Sequence, residues 1–246
     1  MTRTRLSESL AMKKMNRLVQ AVLLMVIALL CDAGAQTPPV ETETTVAETA
    51  YNVVQSYGGK LKVGVAVVVE NPFEDKFASR PTVRVTLRAA DGSVITTREV
   101  SSAGIPPKHR IAFCESLYAD EMPAKVEFRP LDAGYEATAF RPSEFLPFEL
   151  VGVRARDDGG RLRVTGEIRN PYPGETGAWI TLLFRDGKGR LLGGHTKYES
   201  TITAGDLTPF EFYVDADEIP PETKSVDRVV FNHNNYQRSW QKLLRR

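Results

Sequence analysis

Cysteine is nearly missing from this chain. There are two, Cys31 and Cys114, in 246 residues. Cys31 lies in a segment expected to be removed, so no intrachain disulfide framework is available. Histidine is almost as scarce, and the three present (His109, His195, His233) share no spacing. They read as surface histidines. Neither HExxH, nor a paired CxxC, nor His-x-His occurs, which excludes a locally encoded transition-metal site. There is no GxSxG elbow and no glycine-rich phosphate loop, and no cofactor is expected. Charge of one sign is also lacking. The formal net charge is +1, so no bulk field draws in nucleic acid or another polyanion, and no nucleic-acid motif is present. The apolar run Leu18 to Leu30 has 13 residues, short of the roughly 20 needed to span a bilayer.

What is present begins with a leader. Lys13, Lys14 and Arg17 precede that apolar run, and Ala33-Gly34-Ala35 supplies the small-x-small pattern of a leader-peptidase site. Residues 1–35 read as a secretory signal peptide, with Met12 or Met15 as alternative starts. Cleavage after Ala35 removes five basic and two acidic residues and leaves 27 basic against 29 acidic. Cys31 is a candidate lipid-attachment residue, although Leu30 directly before it breaks the usual small-residue pattern. Residues 36–50, rich in Thr, Pro and Glu, read as a flexible tether.

The body of the chain repeats itself. Asn71-Pro72-Phe73 matches Asn170-Pro171-Tyr172 at an offset of 99. The preceding residues Leu61, Val63, Val65, Val67 and Val69 alternate in phase with Leu162, Val164, Gly166 and Ile168. Such a period of two predicts strands with one face inward. The outward positions of the first copy, Gly64, Ala66 and Val68, have little polarity, so this strand is a candidate for cover on both faces. Beyond the Asn-Pro loop the offset becomes 97. It aligns Val83, Val85 and Leu87 with Ile180, Leu182 and Phe184, and Phe113 with Phe210. It also aligns Asp120-Glu121-Met122-Pro123 with Asp217-Glu218-Ile219-Pro220. Gly92 and Gly189 mark matching hairpin turns.

The fold class that follows is all-β: two tandem immunoglobulin-like β-sandwich domains after a signal peptide, with a short C-terminal helix. The expected boundaries are 51–130 for the first copy, 131–147 for a partly packed linker, 148–235 for the second copy and 236–246 for a basic amphipathic tail. Two hallmarks of immunoglobulin domains are missing: there is no cysteine pair, and Trp179 has only Thr82 as its counterpart.

The second copy also carries Phe148-Glu149-Leu150, Gly166-Glu167-Ile168-Arg169-Asn170, Asp186-Gly187-Lys188 and Gly205-Asp206-Leu207-Thr208-Pro209-Phe210. In that order they resemble the FxLYD-type domains of bacterial exported proteins and lipoproteins. The first copy keeps Glu70-Asn71 and Asp91-Gly92 but lacks the opening Phe-x-Leu. The resemblance implies a β-sandwich outside the cytoplasm and no catalytic residue.

Few residues stand out as functional candidates. Asp215, Asp217 and Glu218 form an acidic group that could interest calcium, although a solvated turn before Pro220 explains them as well. Asn71 and Asn170 read as turn caps. Ser239-Trp240-Gln241-Lys242 fits Ser-x-x-Lys but stands without companion motifs. Tyr236, Trp240, Leu243 and Leu244 share one helical face, beside Arg238, Lys242, Arg245 and Arg246. That tail either packs on its own domain or contacts a membrane or envelope polymer. Residues 71–81 and 170–176 form the loops at one strand end of each copy. The expectation is a non-enzymatic exported structural or protein-interaction module of the cell envelope, periplasmic or extracellular. Its expected partner is an envelope protein or polymer, with membrane contact through a lipidated Cys31 or the tail. The alternative is an extracytoplasmic protein binding sugar or calcium.

Overall fold

The computed structural model describes residues 43–139 and 141–233, together with Ser239, Trp240 and Leu243. The leader, Cys31, the first part of the tether, and Tyr236, Arg238, Lys242, Leu244, Arg245 and Arg246 lie outside the described residues. No helix among those described is long and apolar enough to cross a membrane.

The first copy contributes β1 (Thr45–Gln55), β2 (Leu61–Glu70), β3 (Lys76–Ala78), β4 (Thr82–Arg88), β5 (Val94–Ser101), β6 (Arg110–Ala119) and β7 (Lys125–Pro130). After β8 (Tyr135–Ala137) come β9 (Glu149–Asp157), β10 (Arg161–Arg169), β11 (Thr176–Arg185), β12 (Leu191–Ile202), β13 (Leu207–Asp215) and β14 (Ser225–Asn232). Each copy is built from two three-stranded antiparallel sheets in the same order. In the first copy these are β1-β2-β6 and β5-β4-β7; in the second they are β9-β10-β13 and β12-β11-β14.

The correspondence extends to irregularities. The β4/β5 ladder shifts register between Leu87 and Arg88, and the β11/β12 ladder shifts between Phe184 and Arg185, at the same offset of 97. A bulge repeated at one site is a built feature, since each bulge bends its strand and adds twist. Both hairpin turns use glycine at positive φ, 86° at Gly92 and 79° at Gly189.

Alternation sets the cores. Val83, Val85 and Leu87 are fully buried, as are Val63, Val65, Val67 and Val69 on the facing sheet. Ile180, Leu182 and Phe184 repeat the arrangement against Val164 and Ile168. Burial of aliphatic and aromatic side chains from two inner faces is what holds a β-sandwich together.

One segment departs from the sequence reading, and two others take a definite place. Residues 45–50, expected as tether, are strand: β1 pairs along its length with β2. Thr44 turns instead to the linker, its N–H donating to Leu131 O. The linker contains β8, which pairs with β3 and so pins the first Asn-Pro loop. Phe145 in the linker is buried. In the tail, Ser239, Trp240 and Leu243 are helical, and Trp240 is 2% exposed. Its ring meets Phe77 of the first copy, Phe145 of the linker, and Tyr172 and Phe231 of the second. Trp240 and Leu243 are therefore packed inward.

The described residues form one compact unit. The second copy lays β11 and β12 across the outer face of the β1-β2-β6 sheet. Ala66, Val68 and Ala112 pack there against Leu183 and Leu191. That contact explains why the outward residues of β2 are small and apolar.

Candidate functional site

The junction of the two copies is where the unpaired edge of one sheet meets polar groups of the other. β6 is an edge strand, and an exposed edge offers free backbone groups. Two threonines of the second copy cover it. Thr181 Oγ1 donates to Ala112 O at 2.9 Å, and Cys114 N donates to Thr196 Oγ1 at 2.9 Å. The two hydroxyls also lie 2.9 Å apart.

The copies approach so closely here that Gly194 has no room for a side chain. A Cβ at that position would lie 2.5 Å from Leu182 O and 2.6 Å from Cys114 Sγ. Burial pushes the Cys114 thiol up to about 12, so it carries no thiolate character near neutral pH.

Charged groups flank the contact. Arg185 grips Glu48 of the first copy with two N–H groups at 2.7 and 3.0 Å, and also bonds Asp227. Bidentate guanidinium–carboxylate pairing is among the stronger polar contacts available. It holds the Glu48 carboxyl below its ordinary range and raises Arg185 further. On the other flank Glu218 is bonded by His195 Nδ1 at 3.3 Å and by the Lys62 ammonium. Asn52 Nδ2 donates to Glu218 O at 2.9 Å. The His195 bond leads, Lys62 adds to it, and burial opposes both; the Glu218 carboxyl is held down to about 2. His195 is half-buried, with its ring stacked on Phe212, which differs from the surface position expected for it.

A cavity of about 250 Å³ opens beside this cluster, lined from both copies by Asn52, Lys62, Ser116, Trp179, His195 and Glu218 among others. Trp179 is 36% exposed and stands 5.1 Å from Tyr198.

The acidic group named from the sequence does not converge on an ion. Asp215 Oδ1 is bonded by Arg161 at 2.8 Å, Glu218 by His195 and Lys62, and Asp217 is exposed. A carboxylate neutralised by a side-chain cation is a poor calcium ligand. Among the described residues no group of three His, Cys, Asp or Glu could hold a metal ion.

The two loop asparagines are structural. Asn71 Oδ1 accepts from Phe73 N, and its Nδ2 donates to Lys76 O and Ile105 O. Asn170 repeats all three bonds with Tyr172 N, Gly174 O and Ile202 O.

Sequence reasoning did not single out Asn52, Lys62, Ser116 or Tyr198. The nearest signal was the low polarity of Gly64, Ala66 and Val68, which marked a covered face without naming its cover.

No family model matches this chain, and no curated protein matches it. One similar solved structure is the N-terminal CBM22-1-CBM22-2 tandem domain from Paenibacillus barcinonensis Xyn10C. It is 10% identical over 80% of this chain and 87% of its own, with a TM-score of 0.19. A likeness at that level carries no argument about ligand. The tandem all-β architecture stands on the repeated strand order and register.

Proposed function

We propose that this chain is an exported, non-enzymatic binding module of the cell envelope, whose two sandwiches work as one fixed body. The observation that carries this is the jointly built junction. It spends polar, charged and apolar groups of both copies on holding their relative orientation, and orientation matters where one surface is composed by two domains.

The groups with chemical potential at the junction are tied up. A carboxyl held near 2 by hydrogen bonds from His195 and Lys62 is a poor general base at neutral pH, and a thiol near 12 is a poor nucleophile. The leader-like residues 1–35 and the FxLYD-type motifs of the second copy support export. A second reading, small-ligand binding, is favoured by the cavity beside Trp179. Calcium is not part of it.

Intact mass and fractionation from the native host test this reading. The expected result is an extracytoplasmic protein beginning at Gln36, or a membrane-fraction protein acylated at Cys31. A cytoplasmic protein with an uncut leader overturns it.

A further inference from the structure

The cavity at the junction continues along β6. A smaller, more enclosed part of about 30 Å³ passes Ser102, Ala103, Ile111 and Phe231. Cys114, Glu115, Trp179 and Thr196 border both parts, so they form one groove with Trp179 at its middle. Three features of this groove restrict what it can hold.

The first is aromatic. Trp179 and Tyr198 are 36% and 38% exposed, with rings tilted by 46°. Trp179 lines both parts of the groove, and Tyr198 stands beside it with its ring 5.1 Å away, so the Trp179 ring is the aromatic surface the groove offers. Concave sites that pair aromatic surface with a few convergent polar groups are the usual form of small-ligand sites. The second is charge. The groove places the Lys62 ammonium against the carboxylate of Glu218, which leaves no positive excess for phosphate or a polyanion. The third is the polar inventory. Lys62 keeps two N–H groups beyond the one engaged by Glu218, Asn52 keeps its Oδ1 as an acceptor, and Ser116 offers a hydroxyl that both donates and accepts.

An uncharged ligand with a flat apolar face and a rim of hydroxyls matches all three. We propose that the groove binds a neutral oligosaccharide. A sugar ring lies on Trp179, and its hydroxyls bond to Asn52, Lys62 and Ser116. An extended peptide fits less well, because the backbone groups it would pair with at residues 112 to 114 are already taken by Thr181 and Thr196. The proposal rests on the binding-module reading above and deepens it.

The two tryptophans make the test direct, since Trp240 is buried and Trp179 is not. The full secreted chain is titrated with cellohexaose, xylohexaose and N-acetylchitohexaose at up to millimolar concentration. Heat of binding and acrylamide quenching of fluorescence are read together. The expected result is that at least one hexasaccharide binds and shields Trp179. Trp179→Ala then weakens binding about tenfold or more, Trp179→Tyr restores most of it, and the denaturation midpoints stay equal. The proposal is overturned if no hexasaccharide binds at millimolar concentration, or if Trp179→Ala binds as well as the parent. It is also overturned if a protein partner requires Trp179 and no sugar competes for it. Shortening of the bound sugar would overturn the non-enzymatic reading and leave the groove standing. Failure of all three sugars with an exported, intact protein would do the reverse.

Discussion

Asn71 and Asn170 each use one side chain to close a loop and tie it to a distant strand. The carboxamide is suited to this because it carries an acceptor and two donors on one rigid plane. Asn170 is fully buried, so removing its side chain leaves the Tyr172 N–H, Gly174 O and Ile202 O in a dry site without their partner. Asn170→Ala is expected to cost about 3 kcal/mol, read from the urea midpoint at unchanged slope. Asn170→Asp should be no better, because an ionised carboxylate cannot donate to the two carbonyls. An aspartate variant as stable as the parent would show that the donors matter little. Trp240 is a second residue of this kind. Its ring fills a space bounded by Phe77, Phe145, Tyr172 and Phe231. Trp240→Ala is expected to cost about 3 to 5 kcal/mol, the usual range for emptying a buried aromatic site, and thermal unfolding would record it.

Pairs of elements explain more than single residues at the Lys62–Glu218–His195 cluster, where β2, β12 and the turn after β13 meet. Glu218 has its carboxyl lowered from 4.5 to about 2 in the folded protein. Its charged form is therefore favoured by folding, and that contribution is complete above about pH 4.5. It fades as pH falls toward 2, where the folded carboxyl also takes up a proton. Because the group is partly solvated, the contribution is about 1 to 2 kcal/mol. Glu218→Gln should lose that amount at pH 6 and match the parent near pH 2, as urea unfolding at both values would show. An equal gap at both pH values would sink the assignment. The strand pattern, hairpin glycines and Asn caps were legible in the sequence because each depends on local spacing repeated at a fixed offset. The strand character of residues 45–50, the β3–β8 pairing and this cluster were not. They depend on partners far along the chain, and a threonine or lysine that meets such a partner looks like any solvated residue of an outer face. Gly194 shows the same limit: its need for close approach arises from Cys114 of the other copy.

The whole molecule is defined by how the copies share a boundary. Ala66, Val68 and Ala112 belong to one sandwich, yet they are buried by Leu183 and Leu191 of the other. Neither copy is thus complete alone, since the first would expose an apolar sheet face and the second would lose Ala112 O as the acceptor of Thr181 and Glu48 as a partner of Arg185. Trp240 also meets both copies, through Phe77 of the first and Tyr172 and Phe231 of the second. Two domains joined by a loose linker would unfold in two steps; these should unfold in one. Calorimetry of the full chain is expected to show a single transition with equal calorimetric and van't Hoff enthalpies. Leu183→Asp places a carboxylate against the apolar patch, where an unpaired charge is costly. If the junction is what couples the copies, that variant will separate the transition into two, with Asn170→Ala then lowering only the second copy's step. One transition in the variant, or two in the parent, would mean that the copies are coupled by something other than the surfaces they share.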